Sequence, residues 1–219
     1  MAFDIASLRL CLVTDRGLAG GRSIIDVALA AVRGGATMVQ LRDKDATTRA
    51  FVEQARALKA ALAPLGVPLA INDRLDVALA VDADGLHVGQ DDMPVEAARR
   101  LIGPGKFIGL SITAVDQVLR PDAAAADYLG VGPIYAQQTK SDAAAPLGLD
   151  GLRRIRVLTR RPIVAIGGLT PDNSALVLAA GADGLAVVSA IVAAADPEAA
   201  ARRFMGLFGS RQSAVGSRQ

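Results

Sequence analysis

Apolar residues fall in eight short continuous runs, at 8–14, 37–41, 68–71, 85–88, 107–112, 128–131, 162–166 and 184–188. Each has the length of a β-strand, and the runs are continuous rather than alternating with polar residues. That is the pattern of parallel strands buried on both faces. Between the runs lie Ala/Leu/Arg-rich segments with helical periodicity, for example 49–62, 94–101 and 173–180. Pro94 suits a first helical position, with Asp92 as a candidate cap. Strict β–α alternation repeated eight times predicts one α/β domain, a (β/α)8 TIM barrel, over residues 1–208.

A weak repeat supports closure. Gly34-Gly-Ala-Thr-Met-Val, Asp82-Ala-Asp-Gly-Leu-His-Val, Ala125-Ala-Asp-Tyr-Leu-Gly-Val and Gly181-Ala-Asp-Gly-Leu-Ala-Val precede strands two, four, six and eight. The odd strands are entered differently, so the repeating unit reads as two βα modules. The plainer alternative is that Gly-Ala-Asp is a good helix-to-strand turn. The polar Gly/Ser-rich stretch 209–219 predicts a disordered tail. Residues 136–147 form the longest stretch without periodicity, a functional-loop candidate that is expected to move.

Composition narrows the class. Apolar residues make up 52% of the chain but aromatics only 3%, with no Trp, so the core is predicted to be aliphatic. Twenty-four Lys and Arg against 22 Asp and Glu leave a net charge of +2, and no basic run carries interleaved aromatics. Nucleic acid is therefore not an expected partner. Charges are intermixed, and no apolar stretch approaches the ~20 residues of a membrane span. With no signal-peptide pattern at the N-terminus, a soluble cytoplasmic protein is the expectation. Cys11, alone in an apolar run, reads as a small core side chain.

Three polar clusters interrupt this picture where strands should end: QLRDK at 40–44, IND at 71–73 and GQDD at 89–92. On an extended strand Gln40, Arg42 and Lys44 would share one face. Gln40 offers an amide for a heteroaromatic edge; Arg42 and Lys44 offer a fork and a point charge for phosphate. The alternative is a surface ion-pair run with Asp43 and Asp45. Asn72, Asp73, Asp91 and Asp92 could supply one or two carboxylates to Mg2+ alongside substrate phosphates, or could cap helices. Ser111 ends strand five, and Thr139-Lys140 lies in the long loop, where Lys140 could close over a diphosphate. Gly167-Gly168 and Val188-Ser189 end strands seven and eight, the usual phosphate site of such barrels. Two anion subsites follow, one assisted by metal and one metal-free. His87, the single histidine, reads as packed or hydrogen-bonded in the barrel, and Asp15-Arg16 as a loop ion pair.

These clusters, with LVTDR (12–16), ADYLGVGPIY (126–135), IVAIGGL (163–169) and GADGLAVVSAI (181–191), resemble the thiamine-phosphate synthase family over nearly the whole chain. The resemblance implies a transferase of thiamine biosynthesis. It would join hydroxymethylpyrimidine diphosphate to a thiazole phosphate, or its carboxylated form, releasing diphosphate. Gln40, Leu41, Arg42, Asp43, Lys44, Asn72, Ser111 and Lys140 would then hold the pyrimidine diphosphate. Asp73 and Asp92 would bind Mg2+. Gln137, Gln138, Thr139, Gly168, Val188 and Ser189 would hold the thiazole phosphate. Arg42, Lys44 and Lys140 would stabilise the departing diphosphate. Two positions depart from the family: Ala136-Gln137-Gln138-Thr139-Lys140 replaces its usual Pro-Thr-x-Thr-Lys, and Thr113 replaces a frequent histidine. The alternatives are a metal-independent thiazole phosphate tautomerase and a non-catalytic binder of thiamine intermediates.

Overall fold

The computed structural model describes residues 4–136 and 145–215. Eight parallel strands close on themselves in sequence order, β1 pairing with both β2 and β8. They are β1 (Leu10–Val13), β2 (Met38–Leu41), β3 (Leu69–Asn72), β4 (Gly85–Val88), β5 (Phe107–Ile112), β6 (Tyr128–Val131), β7 (Ile163–Ile166) and β8 (Gly184–Val187). Helices α1 (Ile24–Arg33), α2 (Thr48–Leu62), α3 (Leu75–Ala80), α4 (Val95–Ile102), α5 (Pro121–Ala125), α6 (Gly148–Leu158) and α7 (Pro171–Ala179) follow the first seven strands in turn. After β8 come a short α8 (Ser189–Val192) and α9 (Pro197–Val215). The predicted barrel is thus the observed one. Strands one and two are shorter than their apolar runs, because the ends of those runs lie in flanking turns.

The two-module repeat has a physical cause at the strand-entry end. Each even strand is preceded by a polar residue that clamps an N–H at the start of the odd strand before it, the first residue's in β1, β3 and β7 and the second residue's in β5. Leu10 N donates to Thr37 Oγ1 at 3.0 Å, Leu69 N to Asp84 Oδ2 at 2.9 Å, Ile108 N to Asp127 Oδ2 at 2.7 Å and Ile163 N to Asp183 Oδ2 at 2.8 Å. The backbone N–H of each clamp residue returns a bond to the same odd strand's carbonyl, at Leu10, Leu69, Ile108 and Ile163. Asp127 and Asp183 are further tied to Arg99 and Arg156. These residues do more than turn the chain.

Alternation divides the strands' side chains between two cores. Outward residues such as Leu12, Val39, Ile71 and Leu129 pack under the helices in a core dominated by aliphatic side chains. Inward residues form a plug of Cys11, Val13, Met38, Ala70, Phe107, Tyr128, Val164 and Ala186. The expectation of an aliphatic core fails here, since two rings occupy the barrel axis. Glycines on adjacent strands make the room. A Cβ on Gly85 would lie 2.2 Å from the Phe107 ring, and one on Gly109 would lie 2.2 Å from Tyr128 Cζ. Cys11 is buried as expected, its thiol pushed up to about 12 by burial.

One local expectation is corrected. Asp92 does not cap the helix after Pro94; Val95 N donates instead to Asp122 Oδ1 at 2.9 Å. The last helix continues through Val215, past the predicted start of a disordered tail at Gly209. Ala201 and Phe204 are fully buried in its first half, and extending an anchored helix costs less than starting one.

Candidate active site

A cavity of about 760 Å³ lies at the C-terminal ends of the strands. The alternation of β2 turns Gln40 into it and Leu41 outward under the helices, fully buried, so only main-chain atoms of Leu41 could meet a ligand. Gln40 Nε2 donates to Asn72 Oδ1 at 2.7 Å. That bond uses a Gln40 donor and the Asn72 acceptor.

β2 ends at Leu41, so Arg42 and Lys44 occupy the following loop and do not share a strand face as their spacing predicted. The loop's start is held by Thr14, whose hydroxyl accepts from Arg42 N at 2.9 Å and donates to Arg42 O at 3.1 Å. Sequence reading missed Thr14 because only tertiary pairing shows its role. Arg42 lines the cavity and forms a loose 3.7 Å ion pair with Asp15, while Arg16 reaches Asp43 at 4.0 Å. Asp15 and Arg16 therefore pair across to the β2 loop instead of with each other. Asp43 Oδ1 accepts from Asp45 N and Ala46 N, both at 3.1 Å, so this carboxylate builds the turn. Lys44 is exposed, and its charge reaches Asp73.

Asp73 and Asp92 face each other from the ends of β3 and β4, their carboxyl groups within hydrogen-bonding reach. Asp73 sits at φ 62°, a region Asp tolerates better than most residues, with its N–H on His87 O at 2.8 Å. Asp92 Oδ2 accepts from Gly89 N at 2.7 Å, which closes the β4 loop. Burial raises the Asp73 carboxyl to about 6, and the neighbouring Asp92 adds to the rise; Lys44 and Arg42 oppose it. No cluster of three or more His, Cys, Asp or Glu forms a protein-only cage among the described residues. Two crowded carboxylates fit instead a Mg2+ that shares its sphere with substrate phosphates. Asp91 is exposed on the same loop.

Ser111 lines the cavity from β5. Its hydroxyl meets His87 Nε2 at 2.9 Å, and His87 Nδ1 meets Tyr128 Oη at 2.9 Å. His87 is thus the hydrogen-bonded barrel histidine that was expected, but with a serine partner that sequence spacing did not show. Burial pushes the imidazole down to about 4, so it is neutral at physiological pH. Gln90 Nε2 donates to Ser111 O at 2.7 Å, and Arg120 donates to Gln90 Oε1 at 3.0 Å. Thr113, where the family's histidine is frequent, lines the cavity with its N–H and hydroxyl on Gln117 Oε1.

The opposite wall comes from β7 and β8, where Gly167, Gly168, Val188 and Ser189 all line the cavity. Gly167 at φ 101° and Gly168 at φ 66° need glycine, and a Cβ on Gly168 would lie 2.7 Å from Tyr135 Cβ. Asn173 Nδ2 fixes this turn by donating to Gly168 O at 2.9 Å. Gln137, Gln138, Thr139 and Lys140 lie outside the described residues.

Gln40, Arg42, Asn72 and Ser111 thus share one cavity with Gly168, Val188 and Ser189. Among known proteins, the family model for thiamine monophosphate synthase matches residues 10–191. A thiamine-phosphate synthase of Albidiferax ferrireducens is 56% identical over 205 residues, covering 93% of this chain and 94% of that one. One from Chloroflexus aurantiacus is 58% identical over 203 residues, with 93% and 94% coverage. The solved thiamine phosphate pyrophosphorylase from Pyrococcus furiosus superposes with a TM-score of 0.86 at 36% identity, over 94% of this chain and 98% of that one. The chain belongs to the thiamine monophosphate synthase family of enzymes.

Proposed function

We propose that the chain is a Mg2+-dependent cytoplasmic transferase joining hydroxymethylpyrimidine diphosphate to a thiazole phosphate, giving thiamine phosphate and diphosphate. The observation that carries this reading is that Arg42 and Lys44 act on the Asp73–Asp92 pair while Arg42 also lines the cavity shared by Gln40, Asn72 and Ser111. Gln40 Oε1 would accept from the exocyclic amine of the pyrimidine while Asn72 Nδ2 donates to an adjacent ring nitrogen. Asp73 and Asp92 would hold Mg2+, which when bound neutralises charge on the diphosphate oxygens. Arg42 and Lys44, with Lys140 from the long loop, would stabilise the negative charge that grows as diphosphate departs.

Loss of diphosphate breaks its bond to the exocyclic carbon, and the electron-rich aminopyrimidine carries the positive charge left behind. The thiazole nitrogen lone pair then forms the new bond to that carbon. No protein nucleophile is required. The Gly167–Gly168 turn and the Val188–Ser189 step would hold the thiazole's phosphate through backbone N–H groups and the serine hydroxyl. Gln137, Gln138 and Thr139 would complete that grip. Water must be kept from the cation, a task suited to the 136–147 segment.

The test is diphosphate release from the purified protein with both substrates and Mg2+, with and without EDTA. Release that needs both substrates, yields thiamine phosphate and stops with EDTA is the expected result. Turnover of thiazole phosphate alone, indifferent to EDTA, would identify a tautomerase instead. Tight thiazole phosphate binding with no turnover would identify a binder.

A further inference from the structure

The Tyr128–His87–Ser111 chain links the aromatic plug of the barrel to Ser111 along the inside of the cavity, which all three residues line. Two hydroxyls and a neutral imidazole can be ordered in two directions, and the direction decides what Ser111 offers a ligand. We propose that the chain runs one way only: Tyr128 Oη–H donates to His87 Nδ1, His87 Nε2–H donates to Ser111 Oγ, and the Ser111 proton is left to donate into the cavity. His87 and Tyr128 are then positioning residues, setting the polarity of a side chain they do not share with the ligand. This proposal rests on the reading of the cavity as a diphosphate site.

Two arguments favour that direction. A phenol is far more acidic than an aliphatic alcohol, and an imidazole nitrogen accepts better than a phenolic oxygen. Tyr128 to His87 is therefore the stronger of the two ways to use that 2.9 Å contact. The geometry is also held from outside the chain. Gln90 pins the Ser111 carbonyl, and Gly109 and Gly130 seat the imidazole, since a Cβ on either would lie 2.5 Å or 2.7 Å from it. A ring held this way has little freedom to exchange its partners. The opposite direction would make Ser111 an acceptor only toward the cavity, ill-matched to phosphate oxygens, which are themselves acceptors.

The chain contains one histidine, so nitrogen-15 NMR of the imidazole reads a single residue in the intact protein. The expected spectrum shows Nε2 as the protonated, pyrrole-type nitrogen and Nδ1 as the pyridine-type one, before any substrate is added. Tyr128→Phe, which removes one oxygen, should erase this preference and lower kcat about tenfold, the worth of one well-placed hydrogen bond. In a Ser111→Ala background the same change should have almost no effect on kcat, a non-additivity that a purely structural tyrosine would not produce. His87→Gln, which keeps a donor near Nε2, should retain more activity than His87→Leu. A protonated Nδ1 in the unmodified protein would overturn the proposal, as would Tyr128→Phe and Ser111→Ala effects that simply multiply. Failure of the unmodified protein to release diphosphate would sink the function assigned above while leaving the spectrum to decide the tautomer.

Discussion

At the residue scale the Asp73–Asp92 pair makes the sharpest prediction. Asp73's carboxyl is raised from 3.8 to about 6 in the folded protein, so the metal-free fold binds that proton more tightly than the unfolded chain does. Asp73's contribution to the stability of the metal-free protein should therefore be fully present below about 3.8 and be lost as pH rises to about 6, while the buried His87, pushed down from 6.5 to about 4, contributes a slope of the opposite sign. On the proposed function Mg2+ would compete with the same proton, so its affinity should rise over that window and level off above it. Thermal melting across pH, with and without Mg2+, reads both effects. Asp92→Asn removes the facing charge but leaves the burial; it should lessen Asp73's part of the metal-free slope and abolish any Mg2+-dependent rise in Tm. Arg42 is a second case. Its 3.7 Å pair with Asp15 is loose enough to be exchanged for a phosphate. Arg42→Ala should cost about 100-fold in kcat, the scale of a lost transition-state donor, while Tm moves by only a few degrees.

At the scale of elements, function rests on how strands end. The turn after β7 is shaped by two left-handed glycines and fastened by Asn173 at the start of α7. Gly168→Ala would strain the backbone by about 1–2 kcal/mol and push its methyl against Tyr135. Steady-state kinetics should show a raised KM for the thiazole phosphate and a nearly unchanged KM for the pyrimidine diphosphate. Equal effects on both would mean that this turn does not serve the thiazole side. The β2 end shows why element boundaries were hard to read. QLRDK looks like a continuing strand by spacing, yet the Thr14 hydroxyl takes both backbone groups of Arg42 and ends the ladder there.

For the whole molecule, the four strand-entry clamps give the barrel an approximate fourfold order that closure alone does not require. Asp127 serves both Ile108 N and Arg99, whereas Asp84 serves Leu69 N. Denaturant unfolding should show Asp127→Ala losing about 2–3 kcal/mol and Asp84→Ala about 1 kcal/mol less, because the former also takes the carboxylate from a part-buried guanidinium and leaves it the Gly103 and Lys106 carbonyls. If both lose the same amount, the arginine contributes nothing net. Inside the barrel, Gly109→Ala would put a methyl 2.2 Å from Tyr128 and 2.5 Å from His87, so overpacking should cost about 3 kcal/mol and take activity with it.

Much of this molecule was determined by local sequence. Continuous apolar runs separated by helical periodicity specify buried parallel strands, and eight of them in alternation leave few topologies but a barrel. Polar clusters at the run ends marked Gln40, Asn72, Asp73 and Asp92 as candidate site residues, because several such clusters at the ends of neighbouring buried strands exceed what turns and helix caps need. What required the fold were relations between strands far apart in sequence. Cavity-facing Gln40 and outward Leu41 differ only in alternation relative to a closed sheet. Asp92 as partner of Asp73, and not a helix cap, depends on β3 and β4 being neighbours. Tyr128 reaches Ser111 through His87 because three strands run side by side and glycines on two of them leave space for the rings. One-dimensional patterns encode which face is buried; only packing in three dimensions decides which buried groups meet.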